Sequence, residues 1–270
     1  MNRKQFLTNS GLLGLASFLN ASTLFAQHKP SEIVKQIKKI ITIEEHFILK
    51  NISQKVAAFN AQQSGGILPN AYVQKELMAI VLPTLDDVAD VGERRIQFMD
   101  EAGIDMQVLS YGAGSPQNIP NKTLAIELCQ ETNNELAKLI KSHPTRFSGF
   151  AILPVADPTA SADELERAIK QLGLKGAMLS GTFNGRFFDE PEFLPIFAKA
   201  QELNIPLYIH PAIIEKNVAK HYYQSENWSA VAGAMFATAG FGWHLDSGIA
   251  IVRLIASGIF DKLPNLKIIS

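Results

Sequence analysis

Cysteine is almost missing. Cys129 stands alone in 270 residues, so one chain can build neither a disulfide framework nor a cysteine-based zinc site, and any metal must use His and carboxylates. An excess of charge of one sign is also lacking: 25 Lys and Arg face 26 Asp and Glu, a net charge of -1. No bulk field therefore recommends nucleic acid or an anionic membrane as a partner. No stretch reaches the ~18 uninterrupted apolar residues of a membrane span. Internal repeats are absent as well, which excludes solenoids and propellers. What is present is an ordinary globular balance, 47% hydrophobic and 19% charged, with a small molecule as the default ligand.

The first residues read as an export signal over 1–27, which leaves 28–270 as one folded domain. Arg3 and Lys4 give a basic start, Gly11 to Phe18 a short apolar region, and Ala26 before Gln27 a cleavage point. The segment Asn2 to Thr8 resembles a twin-arginine signal with Lys4 in place of the second arginine, so the route is either general secretion or twin-arginine-like, and the expected location is the periplasm.

Beyond Lys39, short β-branched runs alternate with helical patterns. Strands are predicted at Ile40 to Glu45, Met106 to Ser110, Phe147 to Leu153, Gly176 to Leu179, Pro206 to His210 and Leu266 to Ile269. Helices are predicted at Asp86 to Ala102, stopped by Gly103, and from Asn121 to about Lys141. Two more are predicted from the Asp157-Pro158 cap to Gly173 and over Pro191 to Leu203. Strand, helix, strand at this spacing means right-handed βαβ units and a parallel sheet. A doubly wound sheet would advertise a Gly-rich phosphate turn after its first strand. The chain offers Glu44-Glu45-His46-Phe47 there instead, which favours a TIM (β/α)8 barrel. Lys50 to Pro83, with Gly65-Gly66, is then expected to be a loop over the active face.

Glu44 and His46 lie two apart, so on a strand they point to one face, and His210 ends the fifth strand before Pro211. A carboxylate and two imidazoles at strand tips suit one divalent metal, Zn, Mn or Fe, with positions left open for water and substrate. Each histidine taken alone reads equally as a hydrogen-bonded core residue. His143, His221 and His244 are set aside, the first at the barrel bottom, the second in a loop after strand five and the third in a structural role. Cys129 is expected to pack as a small apolar residue, Arg94-Arg95 to face solvent or pair with acids, and Arg253 to pair with Asp261.

Six blocks carry a resemblance: Ile41-Thr-Ile-Glu-Glu-His-Phe47, Gly92 to Arg95 with Met99 to Ser110, Arg146 to Ala151, Asn184-Gly-Arg186, Pro206-Leu-Tyr-Ile-His-Pro211, and Arg253 to Ile269. Together they resemble the amidohydrolase-superfamily branch of aminocarboxymuconate-semialdehyde decarboxylase and gamma-resorcylate decarboxylase. The Glu-x-His form at Glu44 and His46 is similar to the resorcylate-type members. The resemblance implies a barrel of the metal-dependent hydrolase type holding one divalent metal, zinc first and manganese second, on Glu44, His46 and His210. It implies non-oxidative decarboxylation of an aromatic or unsaturated carboxylic acid, with Asn184 and Arg186 as substrate contacts and a homo-oligomer as a common assembly. A simple turn explains Asn184-Gly185 equally well.

In that branch the chain continues after the sixth strand into a Gly-His-x-Gly-Glu block and later a metal-binding Asp. The catalytic His and Asp are thus expected beyond Ser270, leaving an incomplete barrel of about six βα units with open edges on strands one and six. Two alternatives accompany decarboxylation. One is metal-dependent hydrolysis of an ester, lactone or amide; the other is an inactive truncated product of such a gene.

Overall fold

A computed structural model describes residues 39–64, 86–112, 114–211 and 214–270. The expected export signal and the Gly65-Gly66 stretch up to Pro83 lie outside the described residues. Six strands run in chain order: β1 (Ile41–Phe47), β2 (Met106–Tyr111), β3 (Phe147–Gly149), β4 (Ala177–Ser180), β5 (Pro206–His210) and β6 (Lys267–Ile269). They form two three-stranded parallel sheets, β1-β2-β3 and β4-β5-β6. A parallel bridge between Ala151 and Ala177 joins the two into one continuous wall. The fold is therefore mixed α/β, and among the described residues the wall does not close into a barrel.

Strand alternation sorts the side chains into two layers. Leu109, Leu179, Leu207 and Ile209 turn outward into the main core, where Leu128, Leu136, Leu165, Phe193, Ile196 and Phe197 from the surrounding helices meet them. Val108, Phe150, Met178 and Tyr208 turn the other way and pack together with Ile269, forming the inner layer. One pleat further toward the strand C-termini, the register pairs His46 with Ser110 and Ser180 with His210. Polar residues thus sit directly above an apolar floor.

The helix ends lie where the capping residues place them. Asn121 and Asp157 accept hydrogen bonds from Leu124 N and Ala160 N at 3.0 and 3.1 Å, and Gly103 takes the left-handed conformation after Ala102. Between the helices Lys122–Ser142 and Pro158–Lys170, buried Asn133 bonds both Ile152 backbone groups and Glu164. Glu164 in turn takes the Arg167 fork at 2.7 Å on each oxygen. This network fastens two helices to the segment that follows β3, with its buried charges paired.

Four expectations need correction. Lys50–Ser64 is a helix rather than the start of a loop, and His221 stands on the helix Lys216–Tyr223. The predicted helix Asp86 to Ala102 is interrupted, because Asp90 Oδ1 accepts Gly92 N at 2.8 Å and restarts the chain as the helix Glu93–Ala102. Arg253 forks onto Asp189, at 2.8 and 3.1 Å, instead of pairing with Asp261.

Candidate metal centre

The wall curves enough to bring the tip of β1 to the tip of β5. His46 Nε2 lies 3.2 Å from His210 Nε2, and His210 Nε2 lies 3.2 Å from Glu44 Oε1. The rings meet edge to face at 80°, with centroids 4.9 Å apart. One donor atom from each of the three residues falls within 4.8 Å of the others. Two apart on β1, Glu44 and His46 share the inner face while Phe47 fills the core behind them, and the register with β2 shifts between Thr42 and Glu45.

The second nitrogen of each ring is also held. His210 Nδ1 lies 2.5 Å from the Pro211 carbonyl, which can only accept, so Nδ1 carries a proton and Nε2 faces the cluster. His46 Nδ1 lies 3.1 Å from Ser110 Oγ. The His210 hydrogen bond, with that of Tyr208 and the charges of both imidazoles, outweighs burial and lowers the Glu44 carboxyl to about 2. Burial lowers His46 to about 4, with His210 and Arg95 adding to the effect. Burial, with the neighbouring Glu44 carboxylate, raises the Tyr208 phenol above its usual range. At neutral pH the cluster presents one anion and an uncharged His46, the forms in which these groups bind metal.

Spacing supports the same reading. Two nitrogens each about 2.0–2.1 Å from one ion, at tetrahedral to right-angle geometry, stand roughly 3.0–3.4 Å apart. The observed 3.2 Å separations fall in that span. The Glu44 side chain is 53% exposed, so the cluster is open on one side. Nitrogen and oxygen donors of this kind serve zinc and manganese alike.

The expected substrate contacts are not joined to this cluster. Asn184 and Gly185 form a tight turn with φ of 51° and 75°, closed by hydrogen bonds between Phe183 and Arg186. Arg186 engages Glu190 and Glu192 and lies over the Phe193 ring, and none of its hydrogen bonds reaches Glu44, His46 or His210. The residues that the sequence reading missed are Ser110, Tyr208 and Arg95. Strand parity pointed to Tyr208, two residues before His210. Arg95 was expected at the surface yet is 8% exposed, and its guanidinium donates to the carbonyls of His46, Asp87, Val88 and Asp90 and to Gln107 Oε1. Its place at helical spacing with Val88 and Val91 was the available signal.

A parallel α/β wall that converges a carboxylate and two imidazoles at its strand tips defines a candidate mononuclear metal protein. The amidohydrolase family pattern matches residues 67–270, and the chain belongs to that family. It is 38% identical over 188 residues to the decarboxylase orsB of Emericella nidulans, covering 68% of this chain and 54% of that protein. It is 33% identical to the gamma-resorcylate decarboxylase of Rhodococcus jostii, covering 85% of this chain and 65% of the relative. Among solved structures, 5-carboxyvanillate decarboxylase from Novosphingobium aromaticivorans, complexed with manganese and 4-hydroxy-3-methoxy-5-nitrobenzoic acid, superposes with a TM-score of 0.74 at 30% identity. That match covers 85% of this chain and 64% of the neighbour. The chain thus spans between about half and two thirds of the length of the curated relatives named here.

Proposed function

We propose that this chain carries the metal-binding half of a divalent-metal-dependent, non-oxidative decarboxylase acting on an aromatic or unsaturated carboxylic acid. The observation that carries the proposal is the convergence of Glu44, His46 and His210, with two imidazole nitrogens 3.2 Å apart and each ring anchored at its other nitrogen. The names of the relatives supply the reaction class, and the neighbour's manganese argues for testing Mn beside the expected zinc. The six described strands are taken as one arc of a (β/α)8 barrel.

A divalent ion bound here supplies positive charge that stabilises the electrons released as the carbon–carbon bond to the carboxylate weakens. The rest is the work of the chain. Glu44 stays ionised at neutral pH and, being half-exposed, leaves one side of the cluster open to a ligand. Val108, Phe150, Met178 and Tyr208 form an apolar floor against which a flat ring can lie, so its carboxylate is directed upward to the donors. A proton must replace the departing carbon dioxide, and the resemblance assigns its delivery to a His and an Asp outside these 270 residues. Asn184 and Arg186 remain proposed substrate contacts. Reaching a carboxylate would require Arg186 to leave Glu190 and Glu192.

The test uses native protein recovered from its source and, separately, the 270-residue chain. After chelation, each is titrated with Zn(II) or Mn(II), and the native protein is then given a panel of hydroxylated benzoic acids. One ion per chain is expected, with Glu44→Gln and His210→Ala each weakening binding beyond the about 10- to 100-fold typical of losing an outer-shell partner. Carbon dioxide equal to substrate consumed supports the decarboxylase. Turnover by water addition without carbon dioxide overturns it in favour of the hydrolase, and unchanged metal affinity in both variants overturns the site. Export to the periplasm through residues 1–27 belongs to the same proposal. A native N-terminus near Gln27 supports it, and retention of Met1 overturns it.

A further inference from the structure

Resting on that metal site, we propose that the end of β2 is the positioning element for His46. In this reading the Ser110 hydroxyl accepts from His46 Nδ1 and so turns the His46 Nε2 lone pair toward the cation. Ser110 is fully buried, is in register with His46 on the neighbouring strand, and places Oγ 3.1 Å from His46 Nδ1. Two residues on, Gly112 lies so close that a Cβ there would stand 3.1 Å from His46 Cβ and 3.4 Å from Cγ. Gly112 N also donates to the Phe47 carbonyl at 2.9 Å, which ties the two strand ends together around the ring.

A neutral imidazole has one N–H. Nε2 is the His46 nitrogen that faces the cluster, so a cation held there needs its lone pair, and the ring proton then sits on Nδ1 and donates to Ser110 Oγ, 3.1 Å away. In Ser110→Ala that proton would lose its acceptor on β2, and the ring would lose the contact that fixes its orientation.

The experiment compares wild type, Ser110→Ala, Ser110→Thr and Gly112→Ala. Histidine 15N NMR reads the tautomer after loading with diamagnetic Zn(II), and competition titration reads zinc affinity. In wild type the His46 proton is expected on Nδ1 with zinc. Ser110→Ala is expected to lower zinc affinity about 10- to 100-fold, the range for removing an outer-shell partner, while Ser110→Thr stays near wild type. Gly112 does not adopt a positive φ, so Gly112→Ala is expected to keep the fold, checked by circular dichroism, and to lose affinity by displacing the ring. Wild type that binds zinc while Ser110→Ala matches it in affinity and tautomer overturns the inference alone. Wild type that binds no zinc overturns the metal site first and the inference with it.

Discussion

At residue scale, the buried Arg95 guanidinium spends its hydrogen bonds on neutral oxygens and feels Glu45, Asp90 and Asp87 only at longer range, so truncating it strands acceptors rather than breaking a close ion pair. Four carbonyls and Gln107 share its donors, and the His46 carbonyl at 2.9 Å links it to the metal cluster. Arg95→Met is expected to cost about 2 to 3 kcal/mol in denaturant unfolding, the scale of hydrogen bonds to a charged group. Arg94→Met removes an exposed partner of Asp87 and should stay within about 1 kcal/mol of wild type. Equal losses in the two variants would sink this assignment. The pair also shows why the site was only partly legible. Glu44, His46 and His210 could be read because ligand chemistry and strand parity both mark them. Ser110, from a strand 64 residues away, became a partner of His46 only through the β1–β2 register, which periodicity does not encode.

At the scale of elements, local chemistry was legible wherever a single residue decides a terminus. The Asp157-Pro158 cap is one such case. Asp157 accepts Ala160 N, and that hydrogen bond is the main cause holding its carboxyl below the ordinary range, with Lys122 assisting. A carboxyl whose folded value is depressed stabilises the fold above its unfolded value and loses that contribution as pH falls through the folded one. Asp157→Ala should therefore cost about 1 kcal/mol at neutral pH. The gap between variant and wild type should close as acid protonates the wild-type cap below the unfolded value. Chemical denaturation at a series of pH values measures the gap, and a difference that stays unchanged as acid protonates the wild-type carboxyl would refute the cap account. What could not be read locally was the interruption at Asp90-Val91-Gly92. There helical spacing continues across a turn imposed by the Asp90 carboxylate and by the Arg95 guanidinium, which donates to the Asp87, Val88 and Asp90 carbonyls.

At the scale of the molecule, strand order follows chain order and the wall is parallel throughout, as alternating strands and helices dictate. Among the described strands, β1 is hydrogen-bonded only to β2, and β6 only to β5. The helix Gly242–Ala256 turns Ala250, Ile251 and Leu254 toward the main core. Its opposite face, continued by Phe241, carries Leu245, Ile249, Val252 and Ile255, with Val252 63% and Ile255 60% exposed. These positions recur every three or four residues, so they form one stripe along the helix rather than scattered apolar residues. A contiguous exposed stripe of this kind is a candidate association face, and its adhesion can be measured. The 270-residue chain should bind an apolar fluorescent dye and sediment as a mixture that grows heavier with concentration. Val252→Glu combined with Ile255→Glu places two charges on the stripe, away from Leu254 and from the metal cluster. The double variant should bind less dye and sediment closer to a monomer of 29.6 kDa while keeping wild-type metal affinity. Unchanged dye binding and sedimentation would mean that the stripe is not the adhesive face. The exposed residues Ile40, Ile41 and Ile43 at the β1 edge would then be the next surface to charge.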